Sequence, residues 1–296
     1  MLIIIQFVQM KKILAVSGGV DSVVMLHRMR NDPDVVVAHF DHGIRENSSE
    51  DAEFVRRLAE GYRLPFELGV GKLGSGASEA VAREARWKFL FGLCNDEGKV
   101  YTAHHRDDVV ETVTINFLRG TGWRGLAVLG NSEKAERPLI EMSKIEIYRY
   151  AGENGLHFRQ DQTNNEDDYL RNRVRERLRD LPGTVNREIA GLAKEQNLLR
   201  DEIDEVIESC LGCVASFDAE KCVVDKEVLS TVTEEIQLEI VRAVTMRTMK
   251  RSLTREQLGK MLSDTLTLRN GKKISFGKEY FIEITRESVI FPIGVS

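Results

Sequence analysis

The sequence predicts an α/β chain: a doubly wound, mostly parallel sheet followed by a second, smaller helical and α+β domain at the C-terminal end. Three observations predict it. Up to about residue 130, apolar runs of strand length alternate with amphipathic stretches. The Val- and Ile-rich runs are continuous, which marks strands covered on both faces by crossover helices. After "RPLIEM" the composition turns helical and charged, and the chain closes on alternating strand patterns, "KKISFG" and "YFIEITRESVIF".

In order, "KKILAV" reads as the first strand, Asp21 to Arg30 as a helix, "DVVVAHF" as the second strand and Ser48 to Glu60 as a helix. "FELGV", Ala77 to Cys94, "KVYTAHH" and Asp107 to Leu118 continue the alternation. Pro182 and Gly183 punctuate the chain. Beyond them, apolar residues at Ile189, Leu192, Ala193, Leu199, Ile203, Val206 and Ile207 read as one long amphipathic helix. The expected division is a first domain over 1–184, a linking helix over 185–215 and a small domain over 216–296.

With 42% hydrophobic and 30% charged residues in 296, the composition excludes a disordered or fibrous chain. Four cysteines do not make a secreted disulfide framework. No segment approaches the ~20 apolar residues needed to cross a bilayer, so a reducing cytoplasm and no membrane partner are expected. The opening "MLIIIQFVQM" lacks a basic start and a small-residue cleavage site; it is expected to be a short strand or an upstream extension, with Met10 an alternative start. "CLGC", holding Cys210 and Cys213, has metal spacing, and structural cysteines at a helix end are the expected reading. A net charge of −5 argues against indiscriminate nucleic-acid binding. Two basic segments stand out nonetheless, 171–187 with a local +4 and 242–260 with a local +5. Each is either a solvated helix face or a phosphate-binding surface.

The junction of first strand and first helix is "SGGVDS". Consecutive glycines at the carboxyl end of a parallel strand let the backbone turn tightly and aim amide N–H groups at an anion, and the helix behind adds its positive end. The loop lacks the Gly-Lys-Ser/Thr of a Walker motif and the third glycine of a dinucleotide fingerprint. Asp21 beside phosphate needs a cation, shapes the loop, or caps the helix. "HHRDDVVET" follows the fourth strand, so His104, His105, Asp107 and Asp108 fall at the sheet's ligand crevice, with Glu111 one turn beyond Asp107. His39, Asp41 and His42 follow the second strand at the same edge. Four histidines there permit a zinc reading, but carboxylates beside phosphate favour Mg²⁺.

These stretches carry a resemblance. "SGGVDS", "AHFDHGIRENSSED", "EAVAREARWKFL", "TAHHRDDVVETVTINFLRGTGWRGL", "RPLIEMSKIEI" and "DQTNNEDDYLRNRVRERL" together resemble the tRNA(Ile)-lysidine synthetase family of the N-type ATP pyrophosphatases, the PP-loop superfamily. The likeness covers most of the first 180 residues and is much weaker beyond Gly183. It implies an adenine nucleotide alpha hydrolase-like fold and a two-step ligation. ATP adenylates the C2 oxygen of the wobble cytidine in a CAU-anticodon isoleucine tRNA; free L-lysine then displaces AMP through its ε-amine, so that the anticodon reads AUA in place of AUG.

The resemblance also distributes roles. ATP is expected at Ser17, Gly18, Gly19, Val20, Asp21 and Ser22, with adenine at the backbone of His39 and Phe40, bordered by His42 and Arg45, and phosphates at Arg83 and Arg86. The two arginines lie three apart on one helix, and pairing with Glu79 or Glu84 is the alternative. Asp21 is the expected Mg²⁺ ligand. Freeing a lysine ε-amine at pH 7 costs roughly 4 to 5 kcal/mol without help, so Asp108 and Glu111 are assigned to lysine or Mg²⁺, with Asp107 beside them; N-capping by Asp107 is the alternative and is compatible with a site role. Asp21, Asp108 and Glu111 form the expected catalytic set. Asn172, Arg173 and Arg175 are expected on the anticodon side, with neighbouring arginines paired to Asp167, Asp168 or Glu176. Trp123 and Arg124 are suited to an unstacked base, although a buried Trp is equally compatible. A homodimer is left open, and another adenylating tRNA-modification enzyme, thiolase-like, is the rival reading.

Overall fold

The computed structural model describes residues 10–43, 48–71, 78–159, 169–179, 181–250, 253–267, 271–276 and 280–293. The expectations for residues 1–9 and for Arg45, Asp167 and Asp168 lie outside them. Chain packing separates two units, Met1–Asn197 and Leu198–Ser296.

The first unit alternates β1 (Lys12–Ala15), α1 (Val20–Met29), β2 (Val35–Asp41), α2 (Ser48–Gly61), β3 (Phe66–Val70), α3 (Glu79–Leu93), β4 (Lys99–Tyr101) and α4 (Arg106–Leu118). A 3₁₀ turn (Trp123–Leu126), β5 (Ala135–Glu136), α5 (Lys144–Glu153), α6 (Tyr169–Arg179) and α7 (Gly183–Val214) follow. The strands run β3-β2-β1-β4-β5, all parallel. The order reverses between β1 and β4, so the loops after these two strands flank the switch point where such sheets bind ligands.

Adjacent residues of β1 explain why the apolar runs do not alternate. Leu14 packs with Val24, Met25, Leu139 and Ile147, while Ile13 packs with Ala38, Leu90 and Val100. Both faces of the strand are therefore buried under helices. Gly69 permits a close approach at the β3 edge, because a Cβ there would lie 2.7 Å from the rings of Phe40 and Phe89.

The second unit contains the C-terminal part of α7, β6 (Ala215–Phe217), β7 (Lys221–Asp225), α8 (Lys226–Ser230), α9 (Glu234–Met249), α10 (Arg255–Thr267), β8 (Lys272–Phe276), β9 (Tyr280–Ile284) and β10 (Ser288–Pro292). Its sheet runs β6-β7-β10-β9-β8, antiparallel throughout. Ile207 and Leu211 of α7 close a core with Ile240, Val244, Met261, Ile282, Val289 and Phe291. Cys222 lies inside this core, and burial pushes its thiol up to about 12, which makes it an inert apolar side chain. No helix among the described residues is long and apolar enough to cross a membrane.

Candidate active site

The glycine turn after β1 is held chiefly by the Ser22 hydroxyl. Ser22 Oγ accepts N–H bonds from Ser17 at 3.2 Å and Gly18 at 3.1 Å and donates to the Gly19 carbonyl at 2.9 Å. Ser22 is buried and Ser17 exposed. The two serines, grouped in sequence as equal donors, therefore differ in burial: Ser22 braces the turn from inside, while the exposed Ser17 keeps its Oγ 3.3 Å from Ser22 Oγ and accepts the Gly19 N–H at 3.4 Å. Gly18 sits at φ +94°, where a side chain is strained and would meet Phe54. Its carbonyl accepts the N–H of Arg159 at 2.9 Å, and the Arg159 side chain pairs with Glu50 and Asp51 of α2. The amides of Ser17, Gly18 and, at 3.4 Å to Ser17 Oγ, Gly19 are thus engaged internally. The anion donors left at the turn are the first-turn N–H groups of α1, those of Val20, Asp21 and Ser22, which have no acceptor within the helix. The Val20 side chain is in the core, so only its backbone can reach a ligand.

Asp21 has a cationic partner that the sequence did not reveal. Lys144 Nζ lies 2.7 Å from each carboxylate oxygen, and the Lys144 backbone N–H donates to Asp107 Oδ2 at 2.7 Å. Lys144 is the first residue of α5, the positive end of that helix, where a cation is disfavoured unless an acid meets it. That rule, applied to the "SKIEI" stretch, is the signal that could have found it. His105, the N-cap of α4, is buried with Nε2 3.7 Å from Asp21 and 3.5 Å from Asp108 Oδ2. Asp108 Oδ2 accepts the His105 backbone N–H at 2.9 Å. The capping duty on α4 therefore falls to Asp108, while Asp107 reaches across to α5.

Glu111 is buried, and its two oxygens are taken by Arg171 Nε and, at 2.6 Å, by Arg175 Nε, both of α6. Two residues assigned to different substrates, Glu111 to lysine and Arg175 to RNA, are joined here in one ion-pair cluster. The partners expected for the α6 arginines were nearby acids; the acid is instead 60 and 64 residues away. Asn172 is half-buried and Arg173 exposed.

His104 accepts or donates at Thr102 Oγ1, 2.9 Å away. Burial, followed by the charges of Arg137, Arg83, Arg86 and His105, pushes its pKa down to about 4. The ring is neutral at pH 7, and the effect registers Arg83 and Arg86 together with Arg137 as one positive field over the crevice; Arg137 is a further residue missed in sequence. Arg83 also lies over the Trp87 ring at 5.9 Å. His39 is buried and donates Nδ1–H to the Val16 carbonyl at 2.8 Å, bracing the end of β1, and the Phe40 ring packs against His42 and Phe89. Trp123 is half-buried with the Arg124 guanidinium over its ring at 4.5 Å.

A parallel sheet with a glycine turn and a helix N-terminus at its switch point defines a nucleotide-binding α/β domain. Residues 3–181 match the family described as "PP-loop domain", and the chain belongs to that family. Among curated relatives, the tRNA(Ile)-lysidine synthase of Thermotoga sp. (strain RQ2) is 34% identical over 214 residues, covering 66% of this chain and 52% of that protein. The enzyme of the same name from Caldanaerobacter subterraneus subsp. tengcongensis is 34% identical over 259 residues, covering 78% and 54%. The chain spans about half the length of the curated relatives it matches. Among solved structures, the U34-tRNA thiolase NcsA from Methanococcus maripaludis with its [4Fe-4S] cluster superposes with a TM-score of 0.53 at 19% identity, covering 64% of this chain and 72% of that one, a likeness of fold.

Proposed function

We propose that the chain is a tRNA(Ile)-lysidine synthetase, which uses ATP to activate the wobble cytidine of CAU-anticodon tRNA(Ile) and joins free L-lysine to C2 of that base in the cytoplasm. The observation that carries the reading is the convergence of Asp21 and Asp108 on His105, because it makes the phosphate turn and the acids of α4 parts of one site. The names of the curated relatives support the same substrate.

In the first step the cytidine O2 attacks the α-phosphorus, and the P–O bond to the β-phosphate breaks with its electron pair leaving on pyrophosphate. The first-turn amides of α1 and the guanidinium groups of Arg83 and Arg86 receive that charge. No group of three or more His, Cys, Asp or Glu placed to share a metal occurs among the described residues. Both Asp21 oxygens are held by Lys144 Nζ, so a Mg²⁺ held by Asp21, with waters and phosphate oxygens as its other ligands, would take the place of Lys144 there and would supply neutralising charge to the leaving group. In the second step the lysine ε-ammonium gives up a proton to a site carboxylate or to water, the free amine attacks C2, and the C2–O bond breaks with its electron pair leaving on AMP. Asp108 and Glu111 select and orient the amine, since carboxylates favour a cationic side chain over neutral analogues. Trp123, Arg124, Asn172, Arg173 and Arg175 supply the anticodon surface.

AMP release from a CAU-anticodon transcript tests the site. Ser17→Ala and Asp21→Ala should abolish it, and Glu111→Gln should raise the KM for lysine at least tenfold with the KM for ATP nearly unchanged. AMP release independent of lysine would transfer the chain to another tRNA modification.

A further inference from the structure

The Glu111 cluster poses a conflict. A buried carboxylate requires a cation, and here two arginines provide it: Arg171 and Arg175 lie four apart on α6, hence on one face of that helix, and each presents its Nε to a different oxygen of Glu111. The Glu111 side chain is 5% exposed, whereas those of Arg171 and Arg175 are 37% and 50% exposed. The acid is buried, and the groups that hold its two oxygens are cations that reach solvent. A lysine ε-ammonium carries the same charge and would have to take the same oxygens.

We infer that Arg171 and Arg175 guard Glu111, and that RNA phosphates draw these arginines away and so open the carboxylate to free lysine. The inference rests on the proposed function and adds a regulation of the same site. Glu111 stays compensated through the exchange, while the cluster's net charge falls from +1 with two guanidinium groups to 0 with one ammonium. Before RNA binds, Glu111 is compensated by guanidinium; afterwards the guanidinium groups meet phosphate and the ammonium meets Glu111. Neither state buries an unpaired charge, so the exchange avoids the penalty that opposes emptying a buried ion pair. Guanidinium prefers the fork geometry of phosphate, and ammonium, a compact point charge, suits the pocket between the two oxygens. The consequence is ordered binding: the amine is admitted where the RNA acceptor is already present.

The test is equilibrium dialysis of radiolabelled L-lysine against the full chain, with and without a saturating CAU-anticodon tRNA(Ile) transcript, in parallel with a ligation assay on the same preparation. RNA should tighten lysine binding about 10- to 100-fold, the range of ordinary coupling between sites. The R171Q/R175Q double variant should bind lysine without RNA within a few-fold of the RNA-bound wild type, while norleucine, which lacks the ε-amine, gains nothing. Lysine affinity equal with and without RNA overturns the inference, as does a folded double variant that still requires RNA. If the double variant fails to fold, the wild-type comparison alone decides. Failure of ligation with any transcript defeats the proposed function itself; ligation with RNA-independent lysine affinity defeats only the guard.

Discussion

His104 shows how one side chain registers its surroundings. Its pKa of about 4 in the folded state lies below the ordinary 6.5 because burial and the Arg137, Arg83 and Arg86 charges oppose protonation. The unfolded chain therefore takes the proton first. The contribution to stability is complete above pH 6.5 and is lost as pH falls through the window down to 4, amounting to about 3 kcal/mol. Urea unfolding across that window should give a flatter pH dependence for His104→Gln than for the wild type; parallel curves would contradict the assignment. Ser22→Ala should cost about 1–3 kcal/mol, since the buried Gly18 N–H and the part-buried Ser17 N–H lose their acceptor, whereas Ser17→Ala should be nearly neutral to stability and fatal to AMP release. Denaturation midpoints of the two variants check the contrast. Ser-Gly-Gly is common in turns, and the glycine turn was legible in sequence through its place after the first strand and its combination with the later motifs. The division of labour between the serines was not, because both carry the same hydroxyl and differ only in where the turn points it. Lys144 was equally hidden, since its acid lies 123 residues away.

At the scale of elements, periodicity made α1 to α4 and their strands readable, because burial on both faces leaves continuous apolar runs. Strand β5 was not readable: two residues carry no period. Helix α6 was recognised as basic, but its packing against Glu111 of α4 depends on tertiary contact and leaves no local signature. The β3 edge offers a direct check of packing. Gly69→Ala should destabilise by about 1–3 kcal/mol, as overpacking does, because the new methyl meets Phe40 and Phe89. Gly61→Ala, with nothing within 4 Å, should be neutral or stabilising by a few tenths of a kcal/mol. Equal Tm values for the two variants would contradict this account of the edge.

For the whole molecule, the two basic segments separate in character. In the second unit Arg242 pairs with Asp204 at 2.5 Å and with Glu239 at 2.7 Å, and Arg247 pairs with Glu208, so part of the 242–260 charge is neutralised within the unit. In the first unit Arg173, Arg177 and Arg179 of α6 are exposed. Replacing Arg173 and Arg177 with Ala should lower the log–log salt slope of tRNA binding by about one each, and replacing Arg242 and Arg247 should leave it nearly unchanged; filter binding over a salt series separates the outcomes. The sequence exposed both clusters through composition alone, and composition says nothing of the acids that fold back onto each of them, Glu111 onto the first and Asp204, Glu208 and Glu239 onto the second. The central claim, lysine ligation to the wobble base, is tested most directly by digesting tRNA after incubation with ATP and labelled L-lysine and identifying the labelled nucleoside. The account predicts one lysidine per CAU-anticodon isoleucine tRNA and none in methionine tRNA. Lysine-independent AMP release with an unlabelled cytidine would contradict it.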